Sequence, residues 1–303
     1  MKKLSRKFML SIVAIALVVI ALGTSTFAWF TLSNRASVGQ FNAEVTAGEG
    51  MELSLDGTTW YSNIPADVIQ AKIKTNFVAA EGILNTSDAP ILTAVTTNDL
   101  SDFNKIKKDQ SGYEDATANV DFIQITIYVK AVDIDKVSIT SLELEGDEAS
   151  WTSDAAFTGA TGSPVAVGGT VNVSAANGAR VGIVGTSNFV YENMAAGSNT
   201  VLGNPTTLPT IGQAAYFEEK NGINPNSILD APTSVIGSVQ TVGSGVEVLT
   251  LGEVMNGEVG TGNYTGQFDL FVWFEGFDPD TYDSILTMPL SIEMSFEGTK
   301  VVE

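Results

Sequence analysis

The sequence predicts an all-β protein: an antiparallel β-sandwich or jelly roll with long loops, preceded by an N-terminal hydrophobic helix. Beyond residue 40, apolar residues alternate with polar ones in many short stretches. Val, Ile, Thr and aromatic residues fill these stretches, and Gly, Asn, Asp and Pro separate them. Helical patterns do not alternate with the predicted strands, which favours antiparallel sheets over a parallel α/β arrangement.

The strongest strand pattern is Val120–Ala131, in which Ile123, Ile125, Ile127 and Val129 share one face. Asp56-Gly57 is predicted to form a turn. The other predicted strands are Phe41–Thr46, Met51–Leu55, Lys136–Glu145, Thr170–Ser174, Ala179–Val184, Asn188–Tyr191, Val246–Leu251, Gln267–Glu275 and Leu290–Glu297.

Two stretches within the predicted excursion at about 62–119 do not have strand patterns. Ala66–Asn76 is predicted to be a short helix, and Asn98–Asp115 an exposed loop or a frayed helix. A second excursion, at about 185–262, is rich in Gly, Asn, Ser and Thr, with an extra hairpin expected near Ser234–Thr241. One sandwich over residues 41–303 is the expected organisation, and a second small lobe within 185–262 is the alternative.

The composition excludes several classes of function. The 303 residues include no Cys and no His, which rules out disulfides, the usual zinc sites and catalytic systems built on a histidine base. Lys and Arg number 15 against 35 Asp and Glu, a formal charge of −20, and nucleic-acid binding needs the opposite sign. No paired carboxylates stand out from the acidic background, so we expect a protein that is not an enzyme and has no cofactor other than a possible Ca²⁺.

The N-terminus resembles an export signal. Met1–Lys7 is basic, Phe8–Leu22 is apolar apart from one serine, and Gly23–Ala28 is made mostly of small residues. This order predicts a signal peptide over residues 1–28 that is removed by a signal peptidase. The alternative is a retained anchor helix over residues 8–32, because Trp29–Leu32 extends the apolar run toward the ~20 residues that span a bilayer. Both interpretations place the rest of the chain outside the cytoplasm, secreted or at the cell surface.

Three segments together resemble a known family. They are Ser25-Thr26-Phe27-Ala28-Trp29-Phe30-Thr31 after the apolar run, Met51-Glu52-Leu53-Ser54-Leu55-Asp56-Gly57-Thr58-Thr59-Trp60, and Phe271-Val272-Trp273-Phe274-Glu275-Gly276-Phe277-Asp278-Pro279-Asp280 near the end. The chain is similar to exported proteins of Gram-positive bacteria whose signal peptides are cut by a SipW-type peptidase, a group that includes the TasA/camelysin biofilm-fibre proteins. The similarity is greatest over residues 1–60 and 265–297.

This resemblance implies a jelly-roll subunit that polymerises with copies of itself by donating its freed N-terminal strand to a neighbour. Donor strand and linker would occupy residues 29–40, with Trp29, Phe30, Thr31 and Leu32 inserted and Ser33–Ser37 as a polar linker. The alternative is that Trp29–Leu32 ends a membrane helix in an anchored surface or adhesion domain. The metalloprotease activity ascribed to camelysin-type proteins does not transfer, because this chain has no zinc ligands of the usual types.

Two acidic stretches are candidate sites. Glu275, Asp278, Asp280 and Asp283 lie close together in a predicted loop, and carboxylates in loops are typical Ca²⁺ ligands. An Asx-rich turn explains the same residues without a metal, while a Ca²⁺- or glycan-binding, lectin-like domain is the function that a metal would indicate. Glu143–Glu148 is predicted to be a solvated hairpin at the end of a strand.

Overall fold

Strands are the main secondary structure in the computed structural model, which describes residues 36–37, 41–48, 50–193, 211–224, 242, 245–253 and 263–300. The helices in this part of the chain are α1 (Ala66–Ala79), α2 (Ala175–Gly178), α3 (Gly212–Asn221) and a 3-10 helix at Asp283–Thr287. The strands are β1 (Ala36–Ser37), β2 (Phe41–Thr46), β3 (Met51–Ser54), β4 (Asn63–Ile64), β5 (Ile91–Leu92), β6 (Ala94–Thr97), β7 (Phe103–Ile106), β8 (Tyr113–Asp115), β9 (Ile123–Val132), β10 (Ile134–Glu145), β11 (Glu148–Thr152), β12 (Phe157–Thr158), β13 (Pro164–Val165), β14 (Thr170–Ser174), β15 (Ala179–Val184), β16 (Asn188–Glu192), β17 (Val246–Thr250), β18 (Gly252–Glu253), β19 (Asn263–Glu275) and β20 (Leu290–Lys300). The predicted all-β class is confirmed.

The first sheet has the strand order β17-β10-β20-β2-β4. Its longest ladder joins β10 and β20 in antiparallel fashion, from Ile134 opposite Lys300 to Glu145 opposite Ser291. On the other edge of β20, β2 runs parallel to it. The alternation predicted for β10 is present in its burial, since Val137 and Ile139 are buried and Ser138 is half-buried.

The second sheet is built around β19. One edge of β19 pairs with β15, which pairs in turn with β16, and the other edge pairs with β9, which pairs with β3. At the end of β19, Phe274 and Glu275 pair in parallel with Ala94 and Val95 of β6. β6 continues through β7 to β8, so part of the first predicted excursion extends this sheet.

The main core lies where the two sheets face each other. Phe268 of β19 and Phe296 of β20 are buried, with ring centroids 5.2 Å apart. Side chains of α1, including Ile69, pack against both sheets and leave a cavity of only about 10 Å³ between them. A void of that size is near or below the volume that one water molecule needs, so the interface is closely packed.

The opposite face of the second sheet carries a smaller core. Phe271 and Trp273 of β19 share that face because they are two residues apart, and they pack against Phe103 of β7 and Phe122. The ring of Phe103 lies 4.1 Å from that of Phe122 and 5.4 Å from that of Trp273, in stacked and edge-on geometry. The hairpin β7–β8 therefore covers apolar surface.

Most predicted elements agree with the structure, and their ends differ by a few residues. The strands Thr170–Ser174 and Ala179–Val184 have the predicted bounds, and the predicted helix begins at Ala66 and extends to Ala79. The interpretation of Asn98–Asp115 as a loop or helix is wrong, because this stretch holds β7 and β8. Both strands are short and their faces are only partly buried, so apolar alternation is weak there.

Other differences concern connections. Glu143–Glu148 is not a hairpin: β10 ends at Glu145 and pairs with β17 and β20, whereas β11 begins at Glu148 and pairs with β14. Ala36 and Ser37, predicted as linker, form β1 and pair with β5. α3 lies within the excursion at 185–262, while the hairpin expected at 234–241 and the leader fall outside the described residues. Among the helices in the described ranges, none is long and apolar enough to span a bilayer.

Burial along β9 predicts that alanine substitutions at two of its residues lower the free energy of unfolding by very different amounts. Ile127→Ala removes a side chain that is 1% exposed, and we expect the free energy of unfolding to fall by about 2–5 kcal/mol because a cavity remains. Val132→Ala, at a position on the same strand that is 53% exposed, is the control and should change it by less than about 0.5 kcal/mol. Urea denaturation of both variants measures the difference, and equal losses would contradict the packing described above.

Candidate functional site

A buried arginine lies at one end of the second sheet. Arg180 is the second residue of β15, where every other residue is Ala, Val, Gly or Ile, and its side chain is 0% exposed. Its guanidinium contacts the carboxylate of Glu192, the residue directly opposite on β16, and that of Asp278. Both carboxylates are also 0% exposed, so one guanidinium faces two carboxylates away from water.

Asp278 belongs to a tight turn that follows β19. One of its carboxylate oxygens contacts Arg180, and the other accepts the backbone N–H of Asp280 at 2.8 Å. The backbone N–H of Thr281 donates to the carbonyl of Asp278 at 3.0 Å, and that of Tyr282 to the carbonyl of Asp280 at 2.9 Å. The Asp-Pro-Asp sequence thus forms the Asx-type turn that its residues favour, with one side chain turned inward to the arginine.

Glu275, the last residue of β19, joins the same buried region. Its carboxylate accepts the indole N–H of Trp273 at 3.1 Å and the backbone N–H of Phe277 at 3.2 Å. Burial raises the pKa of Glu275 to about 7, although these hydrogen bonds and the charge of Arg180 oppose the rise. Burial also raises the pKa of the Tyr113 hydroxyl, and the negative charge of Glu275 adds to that effect.

Asp280 is the fourth carboxylate of the cluster and the least well compensated. It is 8% exposed, and its Oδ2 atom has no hydrogen-bond partner among the residues that the structure describes. Burial, together with the charge of Asp278, raises the pKa of Asp280 to about 7. Burial and the charge of Asp280 also raise the pKa of Tyr282.

The cluster therefore holds four carboxyl groups and one guanidinium. Burial disfavours the charged form of Arg180, but the charges of Asp278 and Glu192 outweigh that cost and raise its pKa above the usual value. Two carboxylates pair with the guanidinium, and the pKa values of the other two, Glu275 and Asp280, are raised to about 7. This arrangement is suited to holding chain segments together.

Two glycines allow neighbouring segments to approach the turn. A Cβ atom on Gly178 would lie 2.3 Å from Thr281 Oγ1, so a side chain at this position would displace the turn. Gly212, with φ of +60°, begins α3, and its own Cβ would lie 2.1 Å from the carbonyl oxygen of Pro279. That carbonyl accepts the backbone N–H of Gln213 at 2.9 Å, which fixes the start of α3 to the turn.

Of the residues predicted to bind Ca²⁺, the structure brings together Glu275, Asp278 and Asp280. Asp278 pairs with the guanidinium of Arg180, a cation that the chain itself supplies. Within the described ranges, no group of three or more acidic side chains is arranged to hold a metal ion. The side chain of Asp283 and the predicted donor residues Trp29, Phe30, Thr31 and Leu32 lie outside the described residues, so these predictions stay predictions.

Sequence reasoning missed Arg180 and Glu192. The signal was present, because each is the one charged residue of a strand that is otherwise uncharged and mostly apolar. A charge within a buried strand needs a partner, and the acidic turn after β19 could have been proposed as that partner.

Comparison of the chain with known protein families, with functionally described proteins and with solved structures finds no match. The similarity to SipW-type exported proteins therefore stays a resemblance.

Removing the guanidinium should destabilise the fold strongly. Arg180→Met leaves Glu192 and Asp278 buried without a cation, and we expect a loss of about 3–5 kcal/mol in the free energy of unfolding. The matched control is Lys136→Met, which breaks the ion pair with Glu247 at a position that is 47% exposed and should cost at most about 1 kcal/mol. Urea denaturation at pH 7 compares them, and similar losses would show that the buried cluster has no special role.

The raised pKa of Asp280 predicts a pH-dependent stability difference. The pKa of Asp280 is about 7 in the folded state and ~4 in the unfolded state. Its contribution to the free energy of unfolding is therefore fully present below pH ~4 and is lost as the pH rises through ~7. Asp280→Asn stays neutral at every pH. Relative to the wild type, its free energy of unfolding should therefore rise by about 1 kcal/mol or more between pH 5 and pH 8. A difference that stays constant over this range would contradict the assignment.

Proposed function

We propose that the chain is an exported, non-enzymatic structural protein, a jelly-roll-type subunit of an extracellular fibre or biofilm matrix. Assembly would occur by insertion of the N-terminal segment into the sheet of another copy. The proposal draws on the export signal, the resemblance of the leader junction and the last strands to SipW-type fibre proteins, and the all-β fold.

The position of β1 carries this proposal. Ala36 and Ser37, four and five residues after the last proposed donor residue, pair with Leu92 and Ile91 and are therefore extended. This two-residue ladder fixes the chain at Ala36 and Ser37, so a donor segment would begin from a defined point. A chain beginning at Trp29 has seven residues before β1, which reach ~23 Å at ~3.3 Å per residue.

The donor segment has the composition that strand insertion requires. Trp29 and Thr31 alternate with Phe30 and Leu32, so large apolar residues occur on both faces of an extended chain. Such a strand gains main-chain hydrogen bonds from the acceptor sheet and buries its side chains in pockets. At ~25 cal/mol per Å² and ~150–250 Å² for each aromatic side chain, burial of this segment would contribute several kcal/mol per junction.

The buried ionic cluster also favours a structural role over catalysis. Arg180, Glu192 and Asp278 direct their charges at one another, and the turn hydrogen bonds engage the remaining oxygen of Asp278. Groups that are paired in this way and removed from solvent hold chain segments in one arrangement and are not accessible to a substrate.

Removal of the donor segment tests the proposal. We expect a secreted chain that starts at or near Trp29 to form filaments, and a chain that starts at Ala36 to remain a folded monomer because β1 and all later strands are retained. Electron microscopy and analytical ultracentrifugation measure assembly, and urea denaturation measures folding. Filaments formed by the shortened chain would refute donor-strand insertion.

Two variants of the full-length chain distinguish the effect of the donor side chains from the effect of the length of the donor segment. Trp29→Ser combined with Phe30→Ser and Leu32→Ser should abolish filaments, because the apolar side chains are lost while the backbone remains. Ser33→Ala combined with Asn34→Ala, in the adjacent polar residues, is the control and should assemble as the wild type does. An intact Met1 in the membrane fraction would instead support the anchored surface domain.

A further inference from the structure

One lysine–carboxylate pair differs from the others in its burial. Lys105 on β7 places Nζ 2.8 Å from Oδ2 of Asp121, and the two side chains are 18% and 1% exposed. The carboxylates in the other described lysine pairs are 37–63% exposed, for example Asp154 at 57% beside Lys220. Lys105 and Asp121 are also adjacent to the smaller core. Phe103 is two residues before Lys105, Phe122 directly follows Asp121, and the two rings stack on each other.

The carboxyl group of Asp121 is held by further hydrogen bonds. Oδ1 accepts the hydroxyl of Thr93 at 3.0 Å, and Oδ2 accepts the backbone N–H of Thr117 at 2.9 Å as well as the ammonium of Lys105. A second acid is near the amine, because Glu114 lies opposite Lys105 in the β7–β8 ladder with its Oε1 4.0 Å from Nζ. An amine, a buried acyl group and a second carboxylate are thus placed together by backbone pairing.

We propose that Lys105 and Asp121 join through an intramolecular amide bond. The Nζ atom attacks Cγ of Asp121, the Nζ–Cγ bond forms and the Cγ–Oδ2 bond breaks. Two of the three ammonium protons leave with Oδ2 as one molecule of water, and the third remains on the amide nitrogen. Atoms and charge balance, because an ammonium and a carboxylate give a neutral amide and water, and no oxidant or cofactor takes part.

The surrounding groups match the needs of this reaction. Attack requires a neutral amine and a neutral acid, so a proton passes from the ammonium to the carboxyl group across the 2.8 Å contact before the Nζ–Cγ bond forms. Thr93 donates to Oδ1, the oxygen on which negative charge develops in the tetrahedral intermediate. Glu114 Oε1, 4.0 Å from Nζ, would take a proton from nitrogen and return it to the departing oxygen after a side-chain movement brings it within hydrogen-bond distance.

The link would fasten the hairpin that covers the smaller core. Lys105 lies in β7, and Asp121 comes two residues before β9, so the amide would join the added hairpin to the central sheet. A chain without cysteine has no disulfides for this purpose. The proposal stands independently of filament assembly, since it concerns one folded chain.

Mass spectrometry of the folded, secreted chain tests the bond. The intact mass should lie below that of the processed sequence by one water, about 18 Da, and trypsin should no longer cleave after Lys105 but should release a linked peptide containing Asp121. Lys105→Arg keeps a cation beside Asp121 but should restore the full mass. Glu114→Gln should slow formation of the link by about 10-fold or more.

The control is Lys220→Arg, because Lys220 pairs with Asp154 at 2.7 Å but that carboxylate is largely exposed. It should keep the mass deficit and the linked peptide. A folded wild-type chain with the full sequence mass overturns the proposal. A deficit that persists in Lys105→Arg also overturns it, because dehydration would then have occurred elsewhere. If Lys105→Arg does not fold, the peptide map of the wild type decides by itself.

Discussion

The charge balance at Arg180 is the constraint on which one end of the structure depends. A guanidinium that is 0% exposed must have its charge compensated by nearby groups, because water does not reach it. Glu192 provides one partner from the adjacent strand, and Asp278 provides the other from the turn after β19. A turn that would otherwise be a surface connection is therefore held in the interior by an ion pair.

Other segments take their positions from this turn. Pro279 accepts a hydrogen bond from the start of α3, and Thr281 lies against Gly178 at the end of α2. The 3-10 helix that follows contacts β1, the first described strand.

Replacing a buried ion pair with apolar residues of equal volume is often neutral or stabilising, so stability alone does not explain the cluster. Asp278 of the turn meets a buried cation at Arg180, and we interpret the pair as a means of selecting this arrangement over other packings of the same segments.

The sequence predicted the strands better than the site, for physical reasons. β9 could be predicted because its period-two burial is local and is visible within ten residues. β15 is buried on both faces, and its short run of Val, Ile and small apolar residues is an equally local pattern. β7 and β8 could not be predicted, since their stability depends on Phe103 packing against Phe122 and Trp273, which are distant in the chain. The acidic residues of the site were found by their clustering. Their partner was not, because Arg180 is 98 residues from Asp278 and single-sequence patterns carry no information about such pairs.

The proposed assembly must also overcome repulsion between copies. Residues 1–28 contain four basic and no acidic side chains, so a chain beginning at Trp29 retains 11 basic against 35 acidic residues, a formal charge of −24. At physiological salt this repulsion decays over ~8 Å, whereas an extended segment before β1 reaches ~23 Å. Contact through the segment can therefore begin while the charged sandwiches are still screened from each other. Because Arg35 is the one charged side chain in residues 29–40, the segment itself is not repelled by an acidic neighbour. A short, apolar, weakly basic arm is thus a means by which strongly acidic subunits can associate.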